Sequence, residues 1–204
     1  GFDVEDVEIL LNSEPHGDHA GGLAELQQAS GARLWASGAS ADVIDSGGDD
    51  RDMILPLRAL VWIGIAGYPA ARVDHRFRDG DTIRVGTTAL TAHVTGGHTR
   101  GCTSWSFPVR DGGRVLNAVS ACSLIVLGGM RYPEQKADLE RSFRVLRSLP
   151  ADIWVSSHGR LWGRYRKFAA RDTAKNPVAP FIDPAGYRAY VDTAEARFRR
   201  GVVQ

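Results

Sequence analysis

The 204-residue chain is short of several things at once. No apolar run approaches the ~20 residues of a membrane-spanning helix, so the chain is not expected to cross a membrane. There is no charge excess of either sign. Lys+Arg 25 against Asp+Glu 24 gives a formal net charge of +1, which argues against nucleic-acid binding driven by bulk electrostatics. Arg197, Arg199 and Arg200 form a local basic patch, read as the solvated end of a helix. The two cysteines, Cys102 and Cys122, allow one disulfide or two free thiols, and counting does not choose between them. Internal repeats, low-complexity tracts and long linkers are lacking as well, which leaves one domain over residues 1–204 as the expectation. No secretory leader is visible. The chain opens on Gly1-Phe2-Asp3 without an initiator Met, which reads as a processed or trimmed product and leaves the compartment open.

Hydrophobic residues at 43% and charged residues at 24% are ordinary for a globular chain long enough to bury a core. Short strands alternate with helices. Val7 to Asn12 is a compact apolar run typical of a buried strand, and Ala32 to Ala36 is another. Gly21 to Ser30 has helical spacing at Leu23, Leu26 and Ala29, with Gly31 as its stop. Ser40 to Asp45 reads as a short helix. Residues 46 to 80 mix charge, Gly, Pro and the apolar stretch Leu60 to Ala66, as a surface excursion near a site does. Thr82 to Val85, Thr88 to Val94, Thr103 to Val109 and Arg114 to Ala118 alternate between Gly-rich turns, the pattern of an antiparallel meander. Glu134 to Leu149 carries a helical stripe, Ile153 to Val155 is a short strand, and Asp183 to Arg200 is a closing helix with Pro184 in its first turn. The order implies a layered α/β fold.

The chemistry concentrates in Asn12-Ser13-Glu14-Pro15-His16-Gly17-Asp18-His19-Ala20-Gly21-Gly22, which follows an apolar strand and opens a helix. Glu14, His16, Asp18 and His19 lie in one tight connection, and Pro and Gly permit the turns that aim them inward. Imidazole and carboxylate together suit zinc. His98 follows the strand Thr88 to Val94 after Gly96-Gly97, and His158 follows Ile153 to Val155. Three strands each ending in candidate ligands is the pattern of loops converging on a cleft. His75 and His93 lack that context and are read as structural.

Glu14-Pro15-His16-Gly17-Asp18-His19 resembles the H-x-H-x-D-H signature of the metallo-β-lactamase superfamily, with Glu in place of the first His. Thr95-Gly96-Gly97-His98-Thr99-Arg100-Gly101-Cys102-Thr103-Ser104-Trp105 and Ala151-Asp152-Ile153-Trp154-Val155-Ser156-Ser157-His158-Gly159 resemble the other ligand segments of subclass B3 β-lactamases. The resemblance implies an αβ/βα sandwich, with the family's N-terminal strands missing from this chain or supplied by another. It implies two zinc ions, one held by Glu14, His16 and His98 and the other by Asp18, His19 and His158. Glyoxalase-, lactonase- and nuclease-type members use a further bridging aspartate, and the matching stretch Asn117 to Leu124 has no acid. Asp111, Asp138 and Asp152 are not placed to bridge. Subclass B3 enzymes resemble this chain in having Ser at the position of Ser123, where it helps hold substrate, and some pair cysteines at the places of Cys102 and Cys122. That disulfide would imply an oxidising compartment such as the periplasm. Cys122, next to Ser123 along an extended segment, is expected to face away from the metals.

The function so implied is hydrolysis of a small-molecule β-lactam by water activated on zinc, with Asp18 orienting the nucleophile. Glu14 brings a charge that neutral imidazole lacks, so the first zinc is expected to be less electrophilic and less tightly held. Substrate choice is expected to lie in residues 46 to 72 and near Tyr132. The alternatives are a hydrolase of the same fold acting on a lactone, thioester or phosphoester, and a zinc-binding relic without turnover.

Overall fold

Period-two burial along short apolar runs organises the molecule. In a computed structural model of the chain, which describes residues 1–126 and 129–201, eight strands fall into two sheets. The first sheet joins β1 (Ile9–Leu11), β2 (Arg33–Ser37) and β3 (His75–Phe77), all parallel. Parallel neighbours need crossovers. Helices α1 (Gly17–Ala20) and α2 (Leu23–Ser30) lie in the first crossover, and α3 (Gly38–Asp45) and α4 (Leu55–Trp62) in the second. The second sheet is the expected antiparallel meander of β4 (Thr82–Val85), β5 (Thr88–Val94), β6 (Thr103–Asp111) and β7 (Arg114–Ala121). The chain then returns through α5 (Gln135–Ser148) to add β8 (Ile153–Ser156) parallel to β7. It closes with α6 (Arg164–Arg171) and α7 (Pro184–Arg199).

Successive side chains of a strand serve opposite faces, and that splits the core into layers. Leu34 and Ala36 of β2 pack outward against Ala20, Leu23, Ala41 and Ile44 of the helices. Trp35, between them, turns inward to a cluster that joins the two sheets through Ile9, Leu11, Phe77, Ile83, Ala92 and Trp105. On the far side Val119 and Ala121 of β7 meet Leu139, Phe143 and Leu146 of α5 and Tyr187 and Val191 of α7. Leu139, Phe143 and Leu146 are spaced as one helical face, and burying each contributes about 1.5–3 kcal/mol. The order is helix, sheet, sheet, helix, the αβ/βα sandwich expected. β1 lies at the edge of its sheet, with β2 as its one strand partner among the described residues.

Two expectations need correction, and one helix was not foreseen. The helix read from Gly21 starts at Leu23, and a separate turn, α1, precedes the Gly21-Gly22 break and carries Asp18 and His19. The 46–80 excursion is not wholly irregular: it contains α4 and the strand β3, while Leu55, Trp62, Ile63 and Ile65 stay exposed. Helix α6 has no apolar stripe to announce it. Lys167 is its one buried residue, its Nζ 2.9 Å from Asp183 Oδ2 and facing the rings of Trp154 and Trp162. No helix among the described residues is long and apolar enough to cross a membrane.

Candidate metal centre

All six predicted ligands follow the C-terminal ends of β1, β5 and β8, Asp18 and His19 on the short helix α1 and the other four in loops. The first loop is held by one bond of its own and two from distant residues. Asn12 Nδ2 donates to the Glu14 carbonyl at 2.8 Å, Tyr68 Oη donates to the Pro15 carbonyl at 2.6 Å, and the Thr103 amide donates to the Ser13 carbonyl at 2.8 Å. These bonds leave Glu14 buried and set His16 at the start of α1.

The second loop is held by α5. Gln135 Nε2 donates to the Gly97 carbonyl at 2.7 Å, and Ser142 Oγ donates to the Gly96 carbonyl at 2.8 Å. Gly97 has φ 133°, and a Cβ there would stand 2.5 Å from the Leu139 side chain, so only glycine lets the loop lie on the helix. His98 Nδ1 donates to the Ile125 carbonyl at 2.6 Å, which orients the ring and leaves Nε2 as the donor atom toward the site. Gln135, Ser142 and Tyr68 were not legible as site residues. Each acts through a backbone carbonyl distant in sequence, and no motif marks such a contact.

Two donor sets result. Glu14 Oε1 lies 3.3 Å from His16 Nδ1 and 3.3 Å from His98 Nε2, and those two nitrogens are 3.1 Å apart. Asp18 Oδ2 lies 3.3 Å from His19 Nε2 and 4.0 Å from His158 Nε2. Donors 2.0–2.1 Å from a tetrahedral zinc stand about 3.3 Å apart, so the first set already has that spacing and the second is slightly wider. His19 Nε2 is buried without a hydrogen-bond partner among the described residues, 3.3 Å from both Asp18 Oδ2 and Glu14 Oε1. The donor set thus fits a pair of divalent ions. Burial alone would raise the Glu14 pKa, but hydrogen bonds with His16 and His98 and the charge of His98 and His19 outweigh it and hold the carboxyl well below its usual range. Burial alone would lower His98, and its bond to Glu14, that carboxylate's charge and the Ile125 carbonyl raise it instead.

The two remaining predicted positions turn out differently. Cys102 and Cys122 form a disulfide. Cys122 does not face away as expected: its Sγ lies 3.4 Å from Glu14 Oε2, because β7 ends at Ala121 and strict alternation ends with it. Ser123 is 1% exposed and its Oγ accepts from the Ile125 amide at 3.3 Å, so the structure does not bring it to the cavity wall. It steadies the residue whose carbonyl orients His98.

Beside the first set opens a cavity of about 210 Å³, with His16 and His98 at its base, Asp52 and Met53 on one wall and Tyr132 on the other. Arg100 ties these walls together. Its guanidinium donates to Asp52 at 2.6 and 3.2 Å and to Glu134 at 2.9 Å, and it covers the Tyr132 ring at 4.1 Å. His75, stacked on Trp35, and His93, bonded to Ser106 Oγ at 2.8 Å, stand in the structural roles read for them.

The sequence model of the metallo-β-lactamase superfamily matches residues 1–158. The chain belongs to that superfamily. Among solved structures, the Rm3 metallo-β-lactamase is 37% identical with a TM-score of 0.87, covering 98% of this chain and 74% of that one. FEZ-1 metallo-β-lactamase from Legionella gormanii is 31% identical at a TM-score of 0.89, with 99% and 76% covered. Among curated proteins, the hydroxyacylglutathione hydrolase of Jannaschia sp. (strain CCS1) is 28% identical over 172 residues, 84% of this chain and 55% of that protein. The chain spans about half the length of the curated relatives it matches. Within this superfamily fold, the three aspartates between His98 and His158 are engaged away from the donor sets. Asp111 pairs with Arg114, Asp138 accepts from Tyr132 Oη at 3.0 Å, and Asp152 accepts from the Asn117 amide at 2.8 Å.

Proposed function

We propose that this metallo-β-lactamase-superfamily hydrolase opens the β-lactam ring, as a subclass B3 enzyme with Glu14 in the place of the first histidine. The observation that carries the reading is the meeting of two three-donor sets at strand ends with no further acid on the stretch from Asn117 to Leu124. The solved β-lactamases add support, sharing 31–37% identity over about three quarters of their length. Glu14, His16 and His98 would hold one zinc, and Asp18, His19 and His158 the other. Zinc at such a centre supplies Lewis acidity and water acidified to near neutral pH. The chain's own groups do the rest. Asp18, its side chain 63% exposed, would orient the attacking water. The Ile125 carbonyl fixes the His98 ring, and the walls joined by Arg100 confine the substrate. The Cys102–Cys122 disulfide suits an oxidising compartment such as the periplasm.

A second reading, thioester hydrolysis, is favoured by the curated hydroxyacylglutathione hydrolases. A panel of a chromogenic cephalosporin, a penicillin and a carbapenem, set against a glutathione thioester and a lactone at saturating zinc, separates the two. The β-lactams should exceed the thioester in kcat/KM by about tenfold or more, a difference of ~1.4 kcal/mol in activation free energy. Thioester turnover without β-lactam turnover sinks the first reading.

A further inference from the structure

Glu14 stands where the two donor sets meet. Its Oε1 is 3.3 Å from His16 Nδ1 and His98 Nε2 of the first set, and equally 3.3 Å from His19 Nε2 of the second. That is the edge spacing of ligands around one zinc, about 3.3 Å, and this single oxygen meets it with both partners of the first set and with His19 of the second. The other half of the carboxylate is pinned. Oε2 lies 3.4 Å from Cys122 Sγ in the disulfide and accepts from Ser157 Oγ at 3.3 Å, and Ser157 adjoins His158 of the second set. Oε1 therefore cannot swing wholly to either side. An imidazole nitrogen offers one lone pair along one direction, whereas a carboxylate oxygen has two.

On the reading that the chain holds two zinc ions, we propose that Glu14 Oε1 is a ligand common to both. It takes over the task of the bridging acid that the stretch from Asn117 to Leu124 lacks, from the opposite end of the chain. Both ions then depend on one residue, and a substitution at position 14 weakens the second site although Asp18, His19 and His158 are untouched.

The test isolates the second site. In His98→Ala the first set is broken and one ion remains on Asp18, His19 and His158. Adding Glu14→Gln should lower the zinc affinity of that site at least about tenfold in a chelator competition. It should also shift the visible bands of the cobalt-loaded protein. Unchanged affinity overturns the inference. So does an affinity loss with unmoved cobalt bands, because that is a charge effect without ligation. If circular dichroism shows that His98→Ala does not fold, His16→Ala provides the same background. Native mass spectrometry of the unaltered protein tests the underlying reading separately. Two bound zinc ions keep that reading whatever Glu14 does, and fewer than two remove it and the inference together.

Discussion

The two donor sets differ most in how the chain surrounds them. In the first, Glu14 is 1% exposed and the His98 side chain 5% exposed, and neighbouring polar groups fix the position of both. In the second, Asp18 is 63% exposed and His158 37% exposed, and the 4.0 Å between them is wider than the 3.1–3.3 Å spacings of the first set. A buried anionic donor among imidazoles acts in a low effective dielectric, where charge counts for more. An open set exchanges ligands and solvent more readily. On the proposed two-zinc reading, the enclosed first set would polarise the substrate, with the charge of Glu14 tempering its zinc, and the open second set would carry the more exchangeable ion.

The sharpest way to break that contrast is to remove one imidazole from each side. His98→Ala should lower β-lactam kcat/KM by about 1000-fold or more, and His158→Ala by about 100-fold or less, measured at saturating zinc. The reverse order would mean that the exposed set carries the polarisation. Glu14→His sharpens the same point by restoring three imidazoles to the first set. Its first zinc step should move to lower free zinc than in the unaltered protein, and its second step to higher. Superimposable titrations would sink the special role of the glutamate.

Stability offers the next test. Gly97→Ala would put a Cβ 2.5 Å from Leu139 at a φ of 133°, so the loop carrying His98 has to lift off α5. The expected loss is about 2–3 kcal/mol, read as a lower urea midpoint with an unchanged slope. The second set is braced more remotely, through Lys167 against Trp154, Trp162 and Asp183. Burial would raise Asp183, but the Lys167 ammonium and the Gly186 amide outweigh it and lower its pKa. A carboxyl lowered on folding stabilises the protein above its unfolded value of about 3.9, and that contribution is lost as the pH falls through the folded value. Lys167→Met should therefore cost about 1–2 kcal/mol at neutral pH, discounted for the partial exposure of Asp183, and the gap should close below about pH 4. A gap that persists in acid would assign the loss to packing of the Lys167 stem.

How much of this was readable in sequence follows from where each constraint lies. The clustering of the six side chains was legible because six residues at one strand end crowd four metal-binding side chains around Pro15 and Gly17, and two further histidines repeat the strand-end context. The meander was legible from alternation, and α5 from its stripe. The strand β3 was not, since three residues with one buried side chain become a strand only by pairing with β2. Helix α6 was not, since its anchor is a lysine held by Trp162 just ahead of the helix, Trp154 on β8 and Asp183 at the start of α7. Cys122 was misjudged because the alternation argument was carried past the last residue of β7.

The excursion after α3 separates the sets in one more way, since Asp52 and Met53 wall the cavity beside the first set. What holds that wall is Arg100, two residues beyond His98, with its paired bonds to Asp52 and its third to Glu134. Its guanidinium is about a quarter exposed and Glu134 is open to solvent, so the ion pairs themselves contribute little to folding. Their value is geometric: a planar fork fixes the angle of the Asp52 carboxylate as an ammonium does not. Arg100→Lys should leave zinc content and kcat near their starting values and raise KM for the best substrate about three- to tenfold. Arg100→Ala should do the same more strongly, and neither should shift the melting temperature by more than about 4 °C. A fall in kcat with KM unmoved would show that Arg100 acts through His98 and the metal centre instead of through the wall.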